Sequence, residues 1–189
     1  MASEQDRRLL VLGDSISAAY GMSLEQGWVA MLDKELAGND ANIQVINASI
    51  SGETTVGGLR RLPGLLAEHK PRLVVIELGG NDGLRGYPLD QLQSNLSRMV
   101  QLSIDSGARV ILVPMEIPPN YGRRYTSGFR GSFDRVADAQ GATLAPFILD
   151  GVATEPGLMQ DDGIHPTAQA QARLLANLLP TISAELEKL

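Results

Sequence analysis

The 189-residue sequence contains no cysteine, which excludes disulfide bonds, thiolate nucleophiles and thiolate-ligated metal centres. It has only two histidines, His69 and His165, so we expect no metal site and no cofactor. No apolar run approaches the roughly 18 residues of a membrane-spanning helix, so no integral membrane segment is predicted. The net charge of −6 would repel a phosphate backbone, which argues against a nucleic-acid partner.

Length and composition are ordinary for one globular domain. At roughly 100–200 residues per domain, the chain is predicted to form a single domain over residues 1–189. Hydrophobic residues make up 43% of the sequence, which is enough for a core. The first eight residues are polar and lack a signal-peptide pattern, so we expect a cytoplasmic protein or a mature form whose leader has been removed.

Short apolar runs alternate along the chain with longer stretches of helical spacing. Residues 79–83, 117–125 and 150–165 are predicted as loops. Strands are predicted at 8–13, 43–46, 73–78, 109–113 and 143–147, and helices at 28–36, 56–68, 89–106, 127–139 and from Pro166 to about residue 186. This alternation is typical of the α/β class, a parallel sheet with helices on both faces.

Clusters of small polar residues follow the predicted strands. In open α/β sheets, ligands bind beyond the carboxyl ends of the strands, so these clusters should share one edge. The four clusters are Gly13-Asp14-Ser15, Ser51-Gly52, Gly79-Gly80-Asn81-Asp82 and Asp162-Gly163-Ile164-His165-Pro166.

Ser15 and His165 have the residue types of a nucleophile and its base. A hydroxyl group is a weak nucleophile unless an adjacent base takes its proton, and imidazole titrates near neutral pH. A carboxylate just before the histidine would hold the ring in one tautomer. Both Asp161 and Asp162 are close enough in sequence, and residue type alone does not choose between them.

A tetrahedral intermediate also needs hydrogen-bond donors for its oxyanion. The backbone amides of Ser15 and Gly52 and the side-chain amide of Asn81 come from three loops that should converge. Each cluster alone has a plainer interpretation, because Gly-Asp-Ser and Asn-Asp are common in turns and a histidine before a proline is often a simple loop residue. Their occurrence together on one sheet edge favours an active site.

Taken in order, Gly13-Asp14-Ser15, Gly52, Gly79-x-Asn81-Asp82 and Asp162-x-x-His165-Pro166 resemble the four sequence blocks of the SGNH (GDSL) hydrolases. The resemblance spans nearly the whole chain. It implies a flavodoxin-like αβα sandwich with five parallel strands in the order 2-1-3-4-5. It also implies a catalytic triad of Ser15, Asp162 and His165 and an oxyanion hole of Ser15, Gly52 and Asn81.

Residues 12–21, 78–86 and 119–125 further resemble the bacterial thioesterase I/protease I/lysophospholipase L1 group and its arylesterase relatives. That resemblance implies a serine hydrolase of lipid metabolism acting in the periplasm. Its expected substrates are acyl-CoA-type thioesters, lysophospholipids and aryl esters, cleaved through an acyl-enzyme on Ser15. It also implies that residues 83–88 form a mobile loop that responds to bound acyl chains.

An acyl group needs apolar side chains near the nucleophile, and a monomer acting on a small-molecule ester is expected. The predicted substrate-binding residues are Leu84, Ile117, Pro118, Tyr121 and Leu158, with Met22, Leu24 and Met159 as further candidates. Two other functions remain open: a carbohydrate O-deacetylase of the same family, which would have a small polar acyl pocket, and a non-catalytic flavodoxin-like binding module.

Overall fold

The computed structural model describes residues 7–40 and 42–189. The polar start of the chain, on which the expectation of no signal peptide depends, lies largely outside the described residues. Within the described ranges, no helix has both the length and the apolar character required to cross a bilayer.

The sheet has five parallel strands in the order β2-β1-β3-β4-β5. This order confirms the predicted architecture. The strands are β1 (Arg7–Gly13), β2 (Ile43–Asn47), β3 (Leu73–Glu77), β4 (Arg109–Leu112) and β5 (Thr143–Leu144). In the register of the two central strands, Gly13 lies opposite Glu77, so the ends of β1 and β3 are level.

In the part of the chain that the structure describes, six α-helices surround the sheet. They are α1 (Trp28–Asn39), α2 (Thr55–His69), α3 (Gly80–Leu84), α4 (Leu89–Asp105), α5 (Arg123–Gln140) and α6 (Gln171–Leu186). Helix α1 packs against α6, whereas α2, α4 and α5 contact one another in succession, so the two groups cover opposite faces. The strands β1 and β3 are consequently buried on both faces, as their unbroken apolar runs predict.

The predicted fifth strand, 143–147, is too long. Strand β5 ends at Leu144, although the Ala145 amide still donates to Leu112 at 3.0 Å. The next residue is Pro146, which has no N–H group to continue the ladder. Phe147 and the residues after it are therefore free to turn towards the edge of the sheet.

Other boundaries near the site also differ from the prediction. Residues 79–83 are not a loop, because α3 begins at Gly80, and α5 begins at Arg123, inside the predicted loop 117–125. The last helix does not begin at Pro166. Pro166 pairs with Met159 in an antiparallel bridge and its carbonyl accepts the Gln160 side chain, so it is held extended and α6 starts later.

Candidate active site

Ser15 lies in a tight turn directly after β1. The Asp14 side chain accepts a hydrogen bond from the Ile16 amide at 3.1 Å, and the Asp14 carbonyl accepts one from Ala18 at 2.9 Å. Gly13 is needed before the turn, because a Cβ there would lie 2.7 Å from the Ser17 Cβ. These contacts hold Ser15 at the carboxyl end of β1 with 8% of its surface exposed.

His165 is presented by a closed loop between residues 159 and 166. The Gln160 amide donates to the His165 carbonyl at 2.7 Å, and Gly163 turns the chain with φ +66°. One Asp162 oxygen, Oδ1, accepts the backbone amides of Ile164 at 2.9 Å and His165 at 3.0 Å. The aspartate thus shapes the loop that carries the histidine.

Ser15, His165 and Asp162 form a chain of two side-chain hydrogen bonds. His165 Nδ1 lies 2.6 Å from Asp162 Oδ2, and Nε2 lies 2.9 Å from Ser15 Oγ. A carboxylate accepts only, so Nδ1 carries the proton and Nε2 is left to accept from the serine hydroxyl. Asp161 is exposed and has no such contact with the ring in the described structure.

The carboxyl group of Asp162 is held in its charged form. Hydrogen bonds from the backbone amide of His165, from its side chain and from the Ile164 amide lower the Asp162 pKa to about 2. It therefore stays ionised across the pH range in which an imidazole ordinarily titrates. A permanent negative charge beside Nδ1 stabilises an imidazolium if His165 takes up a proton.

The three expected oxyanion donors differ in how they are engaged. The backbone amides of Ser15 and Gly52 make no hydrogen bond to another backbone group among the described residues. Asn81 Nδ2, in contrast, donates to Asp14 Oδ2 at 3.2 Å and to the Glu53 carbonyl at 3.0 Å. Both of its protons are in use, so it can serve an oxyanion only by sharing or releasing one of these bonds.

Asp82 connects helix α3, which carries Asn81, to the segment that follows Gly52. Its carboxylate accepts from Thr55 twice, from the backbone amide at 2.9 Å and from the hydroxyl at 2.5 Å. Asn95 on α4 donates to the same Thr55 hydroxyl oxygen at 3.0 Å. Asp82 is 2% exposed and so acts as a buried link between the start of α2 and α3.

A pair of buried acids lies beneath Ser15, and sequence reasoning missed it. Glu77, at the end of β3, is fully buried and accepts the Ser17 hydroxyl at 2.7 Å and the Asp14 amide at 3.4 Å. The Trp28 indole donates to the same Ser17 oxygen at 3.2 Å. The sequence did contain a signal for Glu77, because an acidic residue at the end of a fully apolar strand is expected to be buried, where a charge costs free energy.

Burial shifts both acids towards their neutral forms. Desolvation, followed by the charge of Asp14, raises the Glu77 pKa well above its usual value. Desolvation also raises the Asp14 pKa to about 6, although the Ile16 amide and the nearby His165 oppose the rise. Both shifts favour the protonated carboxyl group, and that of Asp14 places its change of charge near pH 6.

An apolar cavity of about 540 Å³ opens beside Ser15 and His165. Four of the candidate substrate-binding residues line it, namely Leu84, Ile117, Pro118 and Met159, together with Met115, Phe147, Leu149 and Ile164. Phe147 and Leu149 follow β5, in a segment that the sequence pattern did not assign to a site.

Four candidates for this cavity are not among its lining residues. Tyr121 instead donates its hydroxyl to the Leu84 carbonyl at 2.7 Å, and Leu158 packs against the core. Met22 and Leu24, on the loop after Ser15, also lie outside the lining. The described residues contain no group of three or more histidine, aspartate or glutamate side chains that could hold a metal ion.

Comparison with known proteins places this site in a family. Residues 11–173 match the model of the GDSL-like lipase/acylhydrolase family. The esterase TesA of Pseudomonas aeruginosa is 56% identical over 174 residues, covering 92% of this chain and 87% of that protein. An arylesterase of Vibrio mimicus is 49% identical over 170 residues, covering 90% and 85%.

Two further similarities bear on the chemistry. The thioesterase 1/protease 1/lysophospholipase L1 of Escherichia coli K12 is 44% identical over 163 residues, covering 86% of this chain and 77% of that protein. The crystal structure of the psychrotrophic esterase EstA from Pseudoalteromonas sp., inhibited by monoethylphosphonate, superimposes with a TM-score of 0.92 at 42% identity. That superposition covers 96% of this chain and all of EstA.

Proposed function

The chain belongs to the GDSL-like lipase/acylhydrolase family, and from that membership we propose that it cleaves acyl esters and thioesters through an acyl-enzyme on Ser15. Family and relatives make it a serine esterase. The proposal adds the residues that carry the reaction and the substrates they accept. The observation that carries it is the hydrogen-bonded chain from Asp162 through His165 to Ser15 Oγ.

Acylation begins with proton transfer from Ser15 Oγ to His165 Nε2 as Oγ attacks the acyl carbon. The C–O bond to Oγ forms while the carbonyl electron pair moves onto oxygen. When the tetrahedral intermediate collapses, His165 returns the proton to the departing alcohol or thiol. A water molecule then repeats the sequence on the acyl-enzyme, which releases the carboxylic acid and restores the Ser15 hydroxyl.

The intermediate's negative oxygen needs fixed donors, and three are available. We assign this role to the backbone amides of Ser15 and Gly52 and to the side-chain amide of Asn81. The absence of backbone partners for the two amides within the described chain supports the assignment. Asn81 would turn a proton from Asp14 Oδ2 towards the oxyanion, because Glu53 still holds its other proton.

The cavity supports an acyl chain as the recognised group. Its volume lies within the usual 300–1,000 Å³ of small-molecule sites, and its lining is mainly aliphatic and aromatic. We therefore propose acyl-CoA-type thioesters, lysophospholipids and aryl esters as substrates, in keeping with the names of the relatives. A carbohydrate O-deacetylase would need a small polar pocket, and the relatives favour neither it nor a non-catalytic module.

We also propose that the enzyme works as a monomer in the periplasm. The motif resemblance to the bacterial thioesterase I/protease I/lysophospholipase L1 group supports this location. Fractionation of producing cells should recover activity with periplasmic markers, and size-exclusion chromatography should give a species near the chain mass of 20.2 kDa. Recovery with cytoplasmic markers, or a dimer at working concentration, would contradict these two points.

Hydrolysis assays with p-nitrophenyl esters and acyl-CoA thioesters of graded chain length test the reaction. Ser15→Ala should lower kcat by at least about 10³-fold, because the nucleophile is lost while binding remains. Ser127→Ala, an exposed serine on α5, is the matched control and should retain wild-type kcat. Equal turnover by wild type and Ser15→Ala on every ester would contradict the proposal.

A further inference from the structure

The ring of Tyr20 lies against the imidazole of His165. The two ring centroids are 4.3 Å apart and the planes are inclined by 34°. The outer side of the tyrosine is open to solvent, since 48% of its surface is exposed. This contact has no role in the proton transfers described above, yet it involves the residue proposed as the base.

The backbone around Tyr20 is specialised for this placement. Ala19 has φ +56°, in the left-handed region that non-glycine residues seldom adopt, and Gly21 has φ +77°. Ala19 is buried, and the Tyr20 amide donates to the Ser15 carbonyl at 3.1 Å. Backbone strain of this kind persists only where surrounding contacts impose it, and it concentrates at functional sites.

Gln160 ties the Tyr20 turn to the His165 loop. Its Nε2 donates to the Tyr20 carbonyl at 2.9 Å and to the Pro166 carbonyl at 3.0 Å. The φ of +77° at Gly21 disfavours any other residue there, and a Cβ would lie 2.6 Å from the Gln160 side-chain oxygen and displace that side chain. The Gln160 side chain therefore links the backbones next to the two rings, so the positions of Tyr20 and His165 do not depend on the ring contact alone.

The aromatic ring, and not the hydroxyl group, makes the contact. No hydrogen bond of the Tyr20 hydroxyl occurs among the residues that the structure describes. Tyr20 is also not one of the residues that line the acyl cavity. These two facts favour an action on His165 over a direct action on substrate.

We propose that Tyr20 is a positioning residue for His165, which orients the imidazole towards Ser15 and stabilises the imidazolium by a cation–π interaction. The inference rests on the proposed function. A cation within about 6 Å of an aromatic centroid is attracted to the ring face, and 4.3 Å meets that condition. The other charged groups facing His165 are Asp162 at Nδ1 and Asp14 beneath the serine turn.

Steady-state kinetics with p-nitrophenyl butyrate from pH 4.5 to 9 provide the first test. Tyr20→Leu should lower kcat about 3- to 30-fold with little change in KM, because only the charged imidazole loses stabilisation. The acid limb of the pH profile should move about 0.4–1 unit lower, since the neutral ring is then favoured. Tyr20→Phe should recover most of kcat, and Ile104→Ala, a distant exposed apolar site on α4, should behave as wild type.

NMR titration of the two histidine side chains gives a readout that does not depend on turnover. In a Ser15→Ala background, Tyr20→Leu should lower the titration midpoint of His165 while His69 stays constant as the internal reference. An unchanged His165 midpoint, or a kcat loss that Tyr20→Phe does not recover, would overturn the inference. A rise in KM with constant kcat would also overturn it by making Tyr20 a substrate contact. Failure of the proposed function is distinct, because it would appear as ester turnover that survives Ser15→Ala.

Discussion

At the scale of single residues, the adjacent carboxylates Asp161 and Asp162 show that local geometry determines which of two similar residues can act on His165. Asp162 accepts two backbone amides and the His165 ring, whereas Asp161 points to no such partner in the described chain. Both are exposed acids in the same loop. Their different contacts give two nearly identical residues different expected roles.

Replacement of each of these aspartates separates the two roles. Asp162→Asn should lower kcat by about 10⁴-fold, because an amide no longer fixes the Nδ1–H tautomer or stabilises the imidazolium. Asp161→Asn is the neighbouring control and should change kcat little. The measurement is kcat on one p-nitrophenyl ester at the pH optimum. A large loss in Asp161→Asn with a small loss in Asp162→Asn would reverse the assignment.

At the scale of secondary-structure elements, the site depends on how the loops after β1, β2 and β3 are joined. Only Leu78 and Gly79 separate β3 from α3, so Asn81 and Asp82 lie in the first turn of the helix, close to the end of the strand. Asp82 then holds Thr55 at the start of α2, and Asn81 holds the Glu53 carbonyl just before it. The segment that carries Gly52 and the helix that carries Asn81 are thus connected through short polar contacts.

Removal of this link should affect both stability and turnover. Asp82→Asn places an amide where the Thr55 amide or hydroxyl needs an acceptor, so we expect a loss of about 1–3 kcal/mol in the free energy of unfolding. We also expect lower kcat, because the weakened contact between Asp82 and Thr55 loosens the segment whose Glu53 carbonyl helps to hold Asn81. Asp90→Asn, an exposed acid in the first turn of α4, is the control. Urea denaturation and kcat would be measured, and wild-type values for both would contradict the linking role.

At the scale of the whole molecule, the sheet places a buried acid directly under its nucleophile. Strands β1 and β3 are central and covered on both faces, so Glu77 lies in the interior beside Asp14. Both carboxyl groups have raised pKa values, chiefly because burial removes their hydration. The fold therefore binds protons that the unfolded chain releases.

The free energy of unfolding should therefore depend on pH in the range where these two carboxyl groups release their protons. A carboxyl group whose pKa is higher in the folded state than in the unfolded state stabilises the fold. This contribution is fully present when the pH is below the unfolded-state pKa, and it is lost as the pH rises through the folded-state pKa. For Asp14 that window runs from 3.8 to about 6, and for Glu77 it begins at 4.5 and extends upwards. Glu77→Gln mimics the neutral acid, so its stability relative to wild type should increase from pH 5 to pH 8.

Urea unfolding at pH 5, 6.5 and 8 measures the difference between the two proteins. Glu77→Leu is the comparison that removes the acceptor, and it should be less stable than Glu77→Gln at every pH because Ser17 and the Asp14 amide lose their partner. A constant difference between wild type and Glu77→Gln across this range would show that Glu77 does not carry the proton.

Much of the fold could be predicted from the hydrophobic periodicity of the sequence. The element boundaries that were predicted wrongly have physical causes. The apolar runs of β1 and β3 and the longer helical patterns depend on local burial, which residue order records directly. The boundaries of short segments were harder to predict from the sequence. Pro146 ends β5 early, and Pro166 is held by Gln160 and Met159, contacts that local propensity does not contain.

The sequence by itself determined the α/β alternation and the sheet edge on which Ser15, Gly52, Asn81 and His165 should meet. It did so because strand ends and small polar clusters are local features, and parallel strands bring their carboxyl ends together. Only the tertiary structure decided how these residues touch.

Ser15 and His165 lie 150 residues apart in the chain and 2.9 Å apart in space. The placement of Tyr20 against the histidine, of Glu77 under the serine turn and of Phe147 in the cavity depends on strand register and loop conformation. Those are properties of packing between distant segments, which no local pattern in the sequence encodes.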